Sequence, residues 1–450
     1  MGESMGSERQ KPFRRIRKYV SGRFTAGFLI MMLFVSSASG LSGCSFPSAL
    51  RSGAGGTSML PEKPSGSSGS AVSSGSGGME NVGANFPKEE GGRLLDRQME
   101  AEGVRPGAGL FGAASDETGY YGYSLLESSE KTIYDRMLYA MEKRVRASFS
   151  GDEADSDTIE KVFRYVCADH PEVFDVTGYQ LGSAYTVFGG ERYTFDANYA
   201  MDQAEADSLR AQIDQCVNSI LGGMDRNADD YTKAKFAYDT IVNNTVYDSA
   251  AENNQNMLSV YMSGRSVCAG YTAALEYMLQ KMGILCGTVD GTATNSSGTE
   301  THAWNIVQLD GAYYYIDVTY GDPVGNQDSG YDFGPDYDYF CITSEDLMKN
   351  HEIGEDSVAG QDCTATEDNY YHREGKYFTA YDRNQLAELF RAMLASGGKT
   401  LSIRCQDRSL YDEMYSDLIG SSGVFEYLPG VSEYGYSAND TFYSIEFAIH

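Results

Sequence analysis

The amino-acid sequence predicts an α+β fold in which one helix packs on an antiparallel sheet. A helical accessory region precedes this core, and a small α/β module follows it. The helix is expected from about Cys268 to Met282, because apolar residues recur there at helical spacing and Gly283 stands where a left-handed cap belongs. A β-branched run at 284–289 predicts a strand. Two alternating runs joined by an Asp-Gly dipeptide then predict a hairpin.

The hairpin brings two polar side chains together. Its two-residue turn at Asp310-Gly311 sets the register so that Trp304 lies opposite Asp317. His302 is two residues from Trp304 and therefore on the same face of the sheet as Asp317. Diagonal neighbours of this kind are roughly 7–8 Å apart at the backbone, which an imidazole and a carboxylate can span. The hairpin therefore aims a base and an orienting acid at one point.

The third candidate is Cys268 at the predicted start of the helix, where Ser266 is a plausible N-cap. A helix N-terminus places partial positive charge beside a thiol and favours the thiolate, which is the nucleophile. His302 would accept the thiol proton and later return it to a leaving amine, and Asp317 would hold the imidazole. The backbone N–H of Cys268 would stabilise the oxyanion. These residues form the set required for acyl transfer.

This stretch resembles the transglutaminase-like superfamily, the branch of papain-like cysteine enzymes with the chain order Cys, His, Asp. The resemblance extends from about Tyr231 to His351. It implies that Cys268 is the nucleophile, His302 the base and Asp317 the orienting acid. Members of the family include protein cross-linking acyltransferases, cysteine peptidases and proteins without activity, so the resemblance defines the chemistry more firmly than the substrate. The residues that carry it are Val267-Cys268-Ala269-Gly270-Tyr271, His302-Ala303-Trp304-Asn305 and Tyr315-Ile316-Asp317-Val318-Thr319.

Two aromatic residues are candidates for the substrate cleft. Trp304 shares the face of His302 and Asp317, where it would wall the acyl site or contribute its N–H; ordinary core packing explains it equally well. Tyr271 lies one turn into the catalytic helix, and a hydroxyl in the cleft or a packed core ring are both open. A second oxyanion donor cannot be named from the sequence.

Charge and composition exclude several functions. The chain has 35 Lys and Arg against 64 Asp and Glu, a net charge of −29, which disfavours nucleic-acid binding. No C-x-x-C pair is present, so a zinc site is not expected, and no metal or cofactor is predicted. Asp328, Asp332, Asp336 and Asp338 lack the regular spacing of a calcium loop, and we expect a solvated acidic loop.

The N-terminal residues predict export. Residues 1–44 have a basic start and a short apolar segment, and they end in Leu41-Ser42-Gly43-Cys44. That tetrad resembles a bacterial lipobox, which implies lipidation of Cys44; the alternative is a signal peptide with a chance cysteine. Residues 45–118 are dominated by Gly and Ser and should form a disordered tether, with a small helix near 93–102. The predicted location is extracytoplasmic, with the protein lipid-anchored to the bacterial cell membrane.

The rest of the chain is divided into an accessory region at 119–225, a catalytic domain at 226–375 and the α/β module at 376–450. Most of the remaining cysteines are expected to be buried thiols; Cys341 with Cys363 is the first disulfide pair to test. His351 is assigned a structural role, because the sequence offers it no Cys or Asp partner.

The leading hypothesis is therefore a membrane-tethered cysteine acyltransferase or hydrolase that forms a thioester at Cys268. Its substrate would be a glutamine amide or a peptide bond in a protein or peptide, with cell-wall peptides among the candidates. The competing hypothesis is a catalytically silent surface lipoprotein that binds cell-wall or protein ligands. A binding module has no need of all three polar residues, which favours the enzyme.

Overall fold

The structure, a computed structural model, describes residues 95–99, 119–186, 190–295, 298–322 and 331–450. The predicted signal peptide, Cys44 and most of the tether lie outside these residues. Within the described ranges, no helix combines the length and the apolar character needed to cross a membrane.

The accessory region combines helices with a sheet that sequence analysis recognised only in part. The short helix α1 covers 95–99 within the predicted tether, where Leu95 and Met99 are buried. The β-strands form an antiparallel sheet in the order β1-β3-β2, and the first of them was missed. The elements are α2 (Tyr121–Ser124), α3 (Ser128–Lys143), β1 (Ala147–Ser150), α4 (Ser156–Asp169), β2 (Val176–Thr186), β3 (Gly190–Tyr199) and α5 (Gln203–Leu221).

The catalytic region is built around a four-stranded antiparallel sheet in the order β8-β7-β6-β9. The turn residues Asp310 and Gly311 both have positive φ, and Leu309 pairs with Ala312, so the predicted hairpin register is confirmed. The elements are α6 (Asp230–Asn244), β4 (Val246–Tyr247), β5 (Arg265–Ser266), α7 (Cys268–Lys281), β6 (Cys286–Asn295), β7 (Gly298–Leu309), β8 (Ala312–Ile316), α8 (Ser344–Leu347), β9 (His351–Ile353) and α9 (Tyr370–Arg373).

Helix α7 lies on one face of this sheet, and the main apolar core fills the space between them. Leu275, Met278 and Leu279 of α7 are fully buried there with Val307 of β7. Asn305 of β7 adds a polar tie, because its amide donates to the carbonyl of Thr272 at 3.2 Å. The helix and the hairpin are therefore fixed against each other, which sets the distance between the residues that they carry.

The C-terminal module is a second sheet covered by two helices. Its strands lie in the order β10-β11-β13-β12, with the first pair parallel and the others antiparallel. The sequence predicts the order strand, helix, strand, helix, strand, strand, and the structure has this order, but its fifth element is a strand at Gly435–Asn439 and not the predicted strand at 424–428. The elements are β10 (Tyr377–Phe378), α10 (Arg383–Ala395), β11 (Thr400–Cys405), α11 (Arg408–Tyr415), β12 (Gly435–Asn439) and β13 (Ser444–Ala448).

Several local predictions were wrong. The sequence of residues 339–343 favours a strand, but the structure has a 3₁₀ turn at Tyr337–Tyr339 followed by one isolated bridge from Ile342 to Tyr315 of β8. The sequence also favours a strand at 424–428, but this segment is a 3₁₀ helix at Gly423–Glu426 that pairs with no strand of the described sheets. Asp338 is not in a solvated loop; it is buried and accepts hydrogen bonds from Tyr371 and Ser444.

The cysteines are free thiols in the described part of the chain. Cys341 and Cys363 are both buried and unbridged, so the structure does not form the disulfide that we proposed to test first. Cys167, expected on an apolar helix face, is exposed on α4. Cys268 is partly exposed, as a nucleophile must be.

Candidate active site

Cys268 is the first residue of α7, and its position depends on a close approach of two backbones. Val267 is the N-cap without a side-chain hydrogen bond, so the predicted cap at Ser266 was wrong. The Ser266 hydroxyl instead meets Ser259 at 2.6 Å. A Cβ at Gly270 would lie 2.8–2.9 Å from two carbonyl oxygens of the 254–256 loop, which only glycine avoids. This packing holds the free N–H groups of the first turn beside the thiol.

The hairpin brings His302 and Asp317 into contact, as predicted. Nε2 of His302 lies 2.8 Å from Oδ2 of Asp317, and both side chains are buried. The Cys268 thiol lies near enough to the His302 ring to contribute to the rise in the pKa of His302. Because Nε2 is occupied by Asp317, the nitrogen available to the thiol is Nδ1. The structure therefore places the imidazole between the thiol and the carboxylate, as the Cys-His-Asp hypothesis requires.

Asp317 is held from two sides. Oδ1 accepts the backbone N–H groups of Thr319 and Tyr320, each at 3.0 Å, in the turn that follows β8. Oδ2 accepts from His302 and also from Nε2 of His351, the latter at 3.0 Å. Each carboxylate oxygen of Asp317 therefore accepts two hydrogen bonds, which fix the orientation of the carboxylate.

The pKa of His302 is raised and that of Asp317 is lowered, because each group stabilises the charged form of the other. Burial alone would lower the pKa of His302, but the charge and hydrogen bond of Asp317, with the nearby Cys268 thiol, raise it to about 10. Burial alone would raise the pKa of Asp317, but the charge and hydrogen bond of His302 and the hydrogen bond of His351 hold it well below its usual range. At neutral pH the arrangement favours an imidazolium beside the thiol and a carboxylate behind it.

His351 is the residue that sequence reasoning missed. We expected a structural role without an acidic partner, yet its ring bonds to Asp317 from β9 on the far side of β6. It lies 34 residues from Asp317, outside the hairpin whose register pairs the others. Only the sheet order could have indicated the contact.

The two predicted cleft residues are both fully buried. Trp304 stacks beside His302 with ring centroids 6.0 Å apart, and its Nε1 has no hydrogen-bond partner among the described residues. The Tyr271 hydroxyl donates to Asp322 at 2.6 Å. Burial raises the pKa of Asp322 to about 7, although the hydrogen bond from Tyr271 opposes that rise. Their roles as cleft residues stay predictions.

Tyr247 is a further neighbour of the thiol that the sequence did not indicate. It lies on β4, beside the strand that leads into α7, and it is partly exposed. Burial of its ring and the nearby Cys268 raise the pKa of Tyr247 to about 12. The Tyr247 hydroxyl therefore stays protonated at neutral pH.

His302, Asp317 and His351 could also be considered as metal ligands. One donor atom from each lies within 4.8 Å of the others, and all three side chains are buried. Both Nε2 atoms, however, already bond to Asp317 at 2.8 and 3.0 Å, which is the spacing of hydrogen bonds. The hydrogen bonds account for the cluster without an ion.

Comparison with known proteins defines the class. Residues 218–318, which include Cys268, His302 and Asp317, match the family model of the transglutaminase-like superfamily. The chain therefore carries a transglutaminase-like domain, and both the resemblance and the predicted α+β fold are confirmed.

More particular similarities are weaker. The chain is similar to kyphoscoliosis peptidase from Homo sapiens, at 25% identity over 127 residues, which cover 25% of this chain and 19% of the relative. The Mus musculus protein of the same name is 23% identical over 134 residues, covering 27% and 20%. The match thus spans about a fifth of these relatives. A crystal structure of a TGase is 15% identical, covers 41% of this chain and 52% of the other, and has a TM-score of 0.24.

Proposed function

We propose that this protein is an exported cysteine acyltransferase or hydrolase that forms a thioester at Cys268. The observation that carries the proposal is the buried His302 ring, which is hydrogen-bonded to Asp317 and lies near enough to the Cys268 thiol for the thiol to raise its pKa. The mammalian relatives are named as peptidases, which is consistent with this chemistry.

The first half of the reaction cleaves the amide bond of the substrate and forms a thioester at Cys268. The Cys268 thiolate attacks the carbonyl carbon of a glutamine amide or a peptide bond, and a C–S bond forms. The Cys268 N–H stabilises the developing oxyanion. His302 gives its proton to the leaving nitrogen as the C–N bond breaks, which releases ammonia or an amine and leaves a thioester.

The second half returns the enzyme. His302, now neutral, takes a proton from the acceptor, either a primary amine or water. The acceptor attacks the thioester, the C–S bond breaks, and the thiolate faces an imidazolium again. An amine acceptor gives a new amide, and water gives a carboxylate. Asp317 keeps its charge throughout and fixes the ring.

The proposed setting is extracytoplasmic. The lipobox-like tetrad ending at Cys44 supports lipid anchoring to the bacterial cell membrane, with a protein or cell-wall peptide as substrate. Expression of the full chain and of C44A in a bacterial host tests this. The unchanged chain should fractionate with membranes and carry lipid on its N-terminal peptide, whereas C44A should be released. Equal fractionation of both would contradict the anchor.

Chemistry is tested at Cys268 without knowledge of the substrate. Iodoacetamide should alkylate Cys268 at pH 6 faster than it alkylates a free cysteine peptide, as measured by peptide mass spectrometry. C268A should lose this label, whereas C167A, which removes an exposed cysteine on α4, should keep it. Reaction at the free-thiol rate would overturn the proposal and favour a silent ligand-binding lipoprotein.

One assay then identifies the acyl donor and the acyl acceptor. Glutamine-containing proteins and cell-wall peptides are incubated with a fluorescent primary amine. Incorporation of the amine identifies a transferase, ammonia release without incorporation identifies an amidase, and new N-termini identify a peptidase. Each activity must be absent from C268A.

A further inference from the structure

We propose that His351, held in place by Asn350, is a positioning residue that fixes Asp317 so that Asp317 can orient His302. The inference rests on the proposed function and extends it from three residues to five. Hydrogen bonds join Asn350, His351, Asp317 and His302 in that order, and Cys268 lies near the His302 ring.

The sheet explains how a residue so far along the sequence reaches Asp317. On β6, Gly291 pairs with His302 on one side and with Ile353 of β9 on the other. A Cβ at Gly291 would lie 2.1 Å from the carbonyl oxygen of Glu352 and 2.7 Å from the Trp304 ring. Only glycine therefore allows β9 to pair at this point, and this pairing places His351 near the carboxylate.

The His351 ring is fixed at both of its nitrogens. Nε2 donates to Asp317 at 3.0 Å, and Nδ1 lies 2.7 Å from Oδ1 of Asn350. Nδ2 of Asn350 in turn donates to the Tyr339 hydroxyl at 2.8 Å, which sets the orientation of the amide. A side chain whose only task is to fill space needs no such chain of partners.

Aromatic rings enclose this chain and limit the access of water. The rings of Trp304 and Tyr320 lie 5.0 and 5.1 Å from the ring of His351, and Tyr339 lies at 6.0 Å. The His351 and Asp317 side chains have no exposed surface. No solvent is therefore at hand to replace the His351 hydrogen bond. Its loss would leave an acceptor oxygen short of a donor and free the carboxylate to move.

The groups that lie around the cluster are the Cys268 thiol and the side chains of Tyr238, Tyr247, Tyr320 and Tyr339. Burial raises the pKa of the Tyr238 hydroxyl well above its usual value and that of Tyr247 to about 12, so both hydroxyls stay protonated at neutral pH.

Two isosteric variants separate positioning from packing. H351Q keeps an N–H donor near the place of Nε2, whereas H351M has a similar length but no donor. The readout is the rate of Cys268 alkylation by iodoacetamide at pH 6 and pH 10. At pH 10 an accessible thiol ionises without help, so the rate reports access alone; at pH 6 it also reports the thiolate–imidazolium pair.

We expect H351M to react about ten-fold more slowly than the unchanged protein at pH 6 and within two-fold of it at pH 10, since losses of this order follow when an outer hydrogen-bond partner is removed. H351Q keeps the donor to Asp317 but loses the contact with Asn350, so its rate should fall by no more than about three-fold at pH 6 and match the unchanged protein at pH 10. H372M should match the unchanged protein at both pH values, because His372 is exposed and stacks on Tyr377 away from the site.

Two results would overturn the inference: an unchanged rate for H351M at pH 6, or equal losses in H351M and H351Q. Neither result changes the fast alkylation of the unchanged protein, so the proposed function would stand. Slow alkylation of the unchanged protein would instead refute both the proposed function and this inference. If H351M does not fold, N350L removes the contact at Nδ1 and should lower the pH 6 rate about three-fold; no loss would again refute the role.

Discussion

The molecule contains two clusters of histidine and carboxyl side chains, one with more imidazoles than carboxyl groups and the other with more carboxyl groups than imidazoles. The catalytic cluster (His302, Asp317, His351) places one carboxylate between two imidazoles. The junction cluster (Glu142, Asp169, His170, Glu172, Glu276) lies where the accessory region meets α7 and places one imidazole among four carboxyl groups.

Asp169 and Asp317 make the comparison direct. Asp169 accepts two backbone N–H bonds, from Gly122 and Tyr123, and a third bond from the Tyr134 hydroxyl. Asp317 likewise accepts two backbone N–H bonds, together with two from imidazoles. Burial nevertheless raises the pKa of Asp169 to about 6, whereas that of Asp317 is held well below its usual range. The charge of His170 also lowers the pKa of Asp169, but burial outweighs it; at Asp317 two hydrogen-bonded imidazoles outweigh burial.

The largest expected difference is in reactivity. D317N keeps the shape of the side chain but cannot stabilise an imidazolium, so Cys268 alkylation at pH 6 and any turnover should fall on the order of 10³- to 10⁴-fold. D169N, the matched change at the junction, should leave the rate within two-fold. The comparison is refuted if D317N keeps a tenth of the alkylation rate of the unchanged protein, or if D169N loses as much of that rate as D317N.

The next effect is on stability at the junction. The imidazole of His170 lies 2.7 Å from Glu172 and has no exposed surface, so H170L leaves a largely buried carboxylate without its partner. The free energy of unfolding should fall by about 3 kcal/mol, measured by urea denaturation, with the alkylation rate of Cys268 unchanged. H170N, which can donate near the Nδ1 position, should recover part of the loss; no recovery would assign the effect to packing.

A smaller effect depends on pH. Burial raises the pKa of Glu142 to about 7, above its value in the unfolded chain, so its contribution to stability is present at low pH and lost as pH rises through about 7. E142Q does not titrate. Its unfolding free energy relative to the unchanged protein should therefore increase by about 2 kcal/mol between pH 5 and pH 8. A constant difference would show that Glu142 ionises normally.

The smallest effect concerns Asp322, whose carboxyl accepts a hydrogen bond from the Tyr271 hydroxyl at 2.6 Å. Y271F removes that hydrogen bond, so unfolding should become easier by about 1 kcal/mol. If Tyr271 is a core residue, Cys268 alkylation and the Michaelis constant stay unchanged. A raised Michaelis constant would instead assign its hydroxyl to the substrate cleft.

Prediction from the sequence was most accurate where the signal is local. The extent of α7, the Asp-Gly hairpin and the contact between His302 and Asp317 follow from periodicity and turn geometry within about 50 residues, and the structure has all three. The errors occurred where a segment depends on distant neighbours. Asp338 was assigned to solvent, but the Ser444 hydroxyl of the C-terminal module binds it.

The sequence by itself determined the nucleophile candidate, its base and its orienting acid, because a helix start and a two-residue turn fix side-chain directions without reference to the rest of the chain. Only the tertiary structure decided what surrounds that acid. The order of strands places the edge strand with His351 next to β6, and the imidazoles of His351 and His302 then keep Asp317 charged despite its burial. Both depend on contacts between residues far apart in sequence, which periodicity does not encode.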